Sequence, residues 1–165
     1  MSTNSRPDSN PWVRANVFGT VVFVTVVAVV IAARDRRPAQ FAIGICSMVL
    51  FAIGVACTLW AYVTALEKSR TQEVGVANLF LLTGNTAPPN IKRTMLVALA
   101  AQIVAAVIGA SIGAAGLEKT ELNALAFGVL VPMFGIGMNG MWAAKYGSYG
   151  PRINPSSRPN NRKIR

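Results

Sequence analysis

Over 165 residues the chain is 53% hydrophobic and only 13% charged, a balance unsuited to a water-facing surface. The formal net charge of +10 sits in tails and connections that flank uncharged apolar blocks, so the basic residues read as topology signals and nucleic-acid binding is not expected. Histidine is wholly lacking, which removes the usual general base near pH 7 and the commonest neutral metal ligand, and weighs against metalloenzyme and catalytic-triad chemistry.

The polar segment 1–11, rich in Ser, Asn and Pro, reads as a disordered arm. Trp12 and Arg14 mark a membrane interface, and the Val-rich block that follows (GTVVFVTVVAVVIAA) gives a first span over about 14–33. β-Branched residues disfavour helices in water, but in lipid the helix is the one open-chain structure that pairs every backbone group. A cleaved signal peptide, with Arg6 and Arg14 as its basic region, is the weaker reading because the block is long and the other spans do not need it.

A charged turn through Arg34, Asp35, Arg36, Arg37 and Pro38 leads into a second span over 40–66, with Trp60 and Tyr62 as interfacial anchors. Cys46 and Cys57 lie eleven residues apart in this block. That places them about 16 Å apart along one helix, too far to bridge, so they read as packing residues. The loop 67–93 opens with EKSRTQE, continues with an apolar stub too short to span, and closes with TGNTAPPNIKR. The stub is expected at the membrane surface or against the bundle, a partner-docking element being the alternative. A third span over 94–115 and a fourth over 122–144 follow, the last anchored by Trp142 and Tyr146, and the tail 147–165 reads as disordered and basic, held near anionic lipid headgroups.

The fold class expected is therefore an all-α membrane protein, a four-transmembrane-helix bundle. With four spans, the tails and the central loop share one side and carry twelve basic residues, while the two short turns carry Arg34, Arg36, Arg37 and Lys119. The positive-inside rule then makes both termini cytoplasmic, although three arginines beside the first span would lie outside.

Helices in lipid associate through close packing and interhelical hydrogen bonds, which small residues at four-residue spacing permit. Ala101, Ala105, Gly109 and Gly113 form such a ridge on the third span, and Gly128 and Gly135 answer it on the fourth; a seam between these two spans is preferred over a homodimer interface. Gln102 and Asn139 are polar intramembrane residues expected at similar depth, and a mutual hydrogen bond is preferred over a substrate-contacting site. Pro132, followed by Gly135 and Gly137, is expected to kink the fourth helix. No ionisable residue interrupts the uncharged blocks, whereas proton relays and voltage sensors rely on such groups.

The runs GVANLFLL, TGNTAPPNIKRTMLVALAAQ and LAFGVLVPMFGIGMNGMWAAKYGSYGPR resemble the small, uncharacterised four-span membrane proteins of actinobacteria. The resemblance covers roughly the second half of the chain and implies a bacterial plasma membrane and a thick-walled host. It carries no known activity and no site residues. The function expected is a non-enzymatic accessory or scaffolding component that uses no cofactor and has a membrane-protein partner or self-associates. The alternative is a small oligomeric transporter for a solute or lipid, with Pro132, Gln102 and Asn139 at its pathway.

Overall fold

The computed structural model describes residues 10–33, 37–115 and 124–151. The arm 1–9, the basic residues Arg34 and Arg36, the turn holding Lys119 and the tail 152–165 lie outside the described residues. In chain order the structure has helices α1 (Pro11–Ala32), α2 (Arg37–Lys68), α3 (Val76–Phe80) and α4 (Pro89–Ala115), a 3₁₀ segment (Ala124–Leu130) and helix α5 (Pro132–Tyr146).

Four units are long and apolar enough to cross a membrane: Pro11–Ala32, Phe41–Lys68, Pro89–Gly113 and Ala124–Tyr146. At 22 to 28 residues they reach about 33–42 Å, against about 30 Å of hydrocarbon. Phe18, Phe41 and Trp60 are each roughly 70% exposed, and the outer faces of α1, α2 and α4 carry Val, Ile and Leu throughout. A surface of that kind is stable in lipid and not in water.

Helices α1, α4 and α5 each begin at a proline. The Asn10 side chain accepts from the Trp12 backbone N–H at 3.1 Å and Pro11 takes the first helical position, so α1 starts before the expected boundary. Pro89 starts α4 five residues ahead of the expected span. Threonines inside the spans turn their hydroxyls back on the helix, as Thr58 does to the Gly54 carbonyl at 2.8 Å and Thr64 to that of Trp60 at 3.0 Å.

The fourth span is the hub. Its α5 half packs on α1, α2, α3 and α4, most extensively on α2, and its 3₁₀ half lies against α2 and α4. It is the least apolar of the four and the most buried, half of its apolar stretch being inside the bundle. Its residues are small: a Cβ on Gly54 would come within 2.5 Å of the Phe134 backbone nitrogen, and one on Gly137 would run into the Gly54 carbonyl. The closest backbone approach is therefore between α2 and α5, while the expected seam between the third and fourth spans is also present, α4 packing on both the 3₁₀ segment and α5. Gly109 of the α4 ridge faces Leu125 of the 3₁₀ segment, in the fourth span, as well as Val27 of α1, and Ala101 and Ala105 are half-buried.

Pro132 does not bend one continuous helix. It opens a new one, because the chain changes from 3₁₀ to α geometry at Val131, with Val131 N–H donating to the Gly128 carbonyl and Phe134 N–H to that of Val131.

The central loop folds back against the bundle, the second of the two placements expected for it. Helix α3 packs on α5, Leu79 and Leu82 are buried, and the Phe80 ring covers Gly140. Leu82 takes a left-handed backbone (φ 52°), uncommon for a residue with a Cβ, and its fully buried side chain holds it there. The start of the expected disordered tail is ordered as well. Ser148 N–H donates to the Thr86 carbonyl at 3.1 Å, Glu73 N–H to that of Gly150 at 2.9 Å, and Gln72 and Pro151 form an antiparallel bridge. Trp142, expected at the interface, is instead buried, whereas Trp60 and Tyr146 are exposed.

Candidate functional site

The chemistry of the bundle interior is a cluster of uncharged polar groups. Asn16, Thr20, Gln102 and Asn139 are all buried, three of them with no exposed surface. They come from α1, α4 and α5, and meet because each sits on the inward face of its helix.

Gln102 is the centre. Its Nε2 donates to Asn16 Oδ1 at 3.1 Å and to Thr20 Oγ1 at 2.7 Å, which uses both amide protons. Its Oε1 accepts from the Gly135 backbone N–H at 3.1 Å. Gly135 lies in the first turn of α5, where backbone N–H groups lack the full set of preceding carbonyls, so Gln102 acts as a side-chain cap for a helix that begins inside the membrane. The fit is close: a Cβ on Gly135 would stand 2.5 Å from Gln102 Oε1 and 2.9 Å from Leu99 Cδ1.

Asn16 Nδ2 makes a long bond of 3.5 Å to Asn139 Oδ1, and Asn139 Nδ2 donates at 3.1 Å to the carbonyl of Phe80, the last residue of α3. Thr20 Oγ1 donates back to the Asn16 carbonyl at 2.7 Å. A single chain of hydrogen bonds thus runs from α4 through α1 and α5 to the folded-back loop. The expected mutual bond between Gln102 and Asn139 is replaced by a link through Asn16.

Asn16 and Thr20 escape the sequence reading because one sits at the margin of the first apolar block and the other passes for a β-branched filler in a Val-rich run. Their four-residue spacing puts both on one helix face and is the signal that could have found them. Of the expected packing residues, Gly128 lies against Phe23, where an added Cβ would stand 3.3 Å from the ring, Gly113 is buried, and Gly135 belongs to the polar cluster itself.

Every polar side-chain atom of Gln102 is engaged, and the cluster contains no acid, base or nucleophile. Among the described residues no group of three His, Cys, Asp or Glu side chains is placed to hold a metal ion. Cys46 and Cys57 are free thiols, both half-buried on α2. At the loop end of α5, Tyr149 donates its hydroxyl to the Ala143 carbonyl at 3.1 Å, and burial pushes its phenol up to about 12.

Fold and interior together define a multi-pass α-helical membrane protein whose spans are laced by amides. Comparison with family models, with curated proteins and with solved structures gave no match.

Proposed function

We propose that the chain is a non-enzymatic accessory or scaffolding component of a bacterial plasma-membrane complex, with both termini in the cytoplasm. The observation that carries this reading is the engagement of the polar groups in the cluster around Gln102. Gln102 and Asn139, the residues a solute pathway would need, are bonded to Asn16, Thr20, the Gly135 backbone and the Phe80 carbonyl. Groups satisfied in this way stabilise a fold and offer little to a passing substrate.

The outside of the bundle suits lateral association. An open apolar groove between α2 and the 3₁₀ segment is lined by Phe41, Ile45, Val49 and Phe127, and Gly44 lies open beside it. The twelve basic residues of the tails and central loop favour the cytoplasmic assignment, and the tail would be drawn to anionic lipid.

Crosslinking in native membranes, read by mass spectrometry, tests the proposal. A reproducible stoichiometric partner linked through positions around Ile45 and Val49 supports an accessory role. Self-crosslinks alone, together with solute flux in vesicles that Gln102→Leu and Asn139→Leu abolish, would replace it with an oligomeric transporter.

A further inference from the structure

We propose that the groove between α1 and α4 is a binding site for one anionic phospholipid, its headgroup held between Arg14 and Arg93. Both helices start at the same end of the bundle, and Thr94 of α4 lines one groove with Val13 and Arg14 of α1. Arg93 stands at the head of the adjoining stretch, which shares Val17, Val21 and Thr94 with the first. Each arginine is about one turn into its helix, at the depth where a span meets the headgroup layer. Both side chains are exposed, and among the described residues neither has an ion-pair or hydrogen-bond partner for its guanidinium. No carboxylate lines either stretch of groove.

Beyond the arginines the walls are apolar. Val17, Val21, Val97 and Ala101 continue the groove for about 12 Å along the helices. Thr20 is the one polar residue deep in it, and its hydroxyl is already bonded to the Asn16 carbonyl and to Gln102. Two unpaired cations at the mouth and an apolar channel behind them complement a phosphate joined to an acyl chain. A polar solute would find no partner beyond the mouth. A partner helix would have to bring an acid to the membrane surface to answer the two guanidinium groups. The site uses none of the basic residues of the tail and does not depend on whether the protein is a scaffold or a transporter.

The test uses the full chain in phosphatidylcholine vesicles doped with phosphatidylglycerol that carries a photoactivatable diazirine in its acyl chain, with adducts mapped by mass spectrometry. Adducts are expected to concentrate on Val17, Val21, Val97 and Ala101. They should fall about 10–30-fold in Arg14→Gln/Arg93→Gln, the loss expected for two surface cations. They should persist when the basic residues of the tail are replaced by glutamine, and glycerol phosphate should not displace the lipid. Val97→Trp, which fills the groove and leaves both arginines in place, should remove the adducts while helical circular dichroism is unchanged. Adducts spread evenly over the lipid-facing surface, equal labelling by a phosphatidylcholine probe, insensitivity to the arginine replacements, or a polypeptide crosslinked along this groove in native membranes would each overturn the assignment.

Discussion

Asn16 and Gln102, 86 residues apart in the chain, meet side chain to side chain inside the bundle, with Gln102 Nε2 donating to Asn16 Oδ1 at 3.1 Å. The bond locks the first span to the third and, through Gly135, to the start of α5. Removing Gln102 strands the Gly135 N–H, one acceptor on Asn16 and one on Thr20. Gln102→Leu should therefore cost about 1–3 kcal/mol of unfolding free energy in mixed micelles, in the range for buried groups left unpaired. A double-mutant cycle of Asn16→Leu with Gln102→Leu should give a coupling of about 0.6–2 kcal/mol, and additive effects would mean that the bond contributes nothing.

Glycines in the bundle should not respond alike to an added methyl. A Cβ on Gly54 would meet the Met133 carbonyl carbon and oxygen at 2.6 Å, and one on Gly137 would strike the Gly54 carbonyl; backbone cannot step aside as a side chain can. Gly54→Ala and Gly137→Ala should each destabilise by about 1–3 kcal/mol. Gly109 leaves 3.5 Å to Val27 and 3.6 Å to Leu125, so Gly109→Ala should lie within about 0.5 kcal/mol of the parent. Thermal unfolding of the three variants in one detergent compares them, and equal losses would put the tight seam in the wrong place.

Much of the architecture is legible in the sequence, and its gaps have physical causes. Uncharged blocks of nineteen residues or more admit one structure in lipid, so the four spans and their approximate ends follow directly. Gln102 and Asn139 stand out because an amide in hydrocarbon requires a partner. Which partner it takes depends on how the helices rotate, and a periodic pattern does not specify that when every face is apolar. Ala101, Ala105, Gly109 and Gly113 show the same limit: the row of small residues is plain, yet the tight contact belongs to Gly54 and Gly137. Trp142 has the position of an interfacial anchor in the sequence, yet it is a core residue, and a pattern of apolar positions does not tell the two apart.

The return of the central loop can be tested at Phe80, whose ring lies on Gly140 and whose carbonyl accepts from Asn139. Phe80→Ala opens that contact and should make limited proteolysis between residues 69 and 88 at least several-fold faster, with helical content unchanged. A cleavage rate equal to the parent's would mean that the loop does not rest on α5.

Tyr149 gives the pH dependence. Its phenol is pushed by burial up to about 12, from an ordinary value near 10. A folded state that holds the proton more tightly than the unfolded chain is stabilised fully below about 10, and that contribution is lost as the pH rises to about 12. The strap at residues 147–151 should hold at neutral pH and loosen over this alkaline window. Ultraviolet titration of the Tyr62→Phe/Tyr146→Phe variant isolates this phenol; a midpoint near 10 would show it to be solvated.

Hydrogen exchange at the Gly135 backbone amide and the Gln102 side-chain amide, followed by NMR with the protein in lipid nanodiscs, tests the sealed polar interior most directly. The bonds from Gln102 to Asn16, Thr20 and Gly135 predict exchange slowed by orders of magnitude relative to an exposed amide, as at the centre of a span. Exchange at the rate of exposed amides would mean that water reaches the centre of the bundle, and would contradict a purely structural role for these residues.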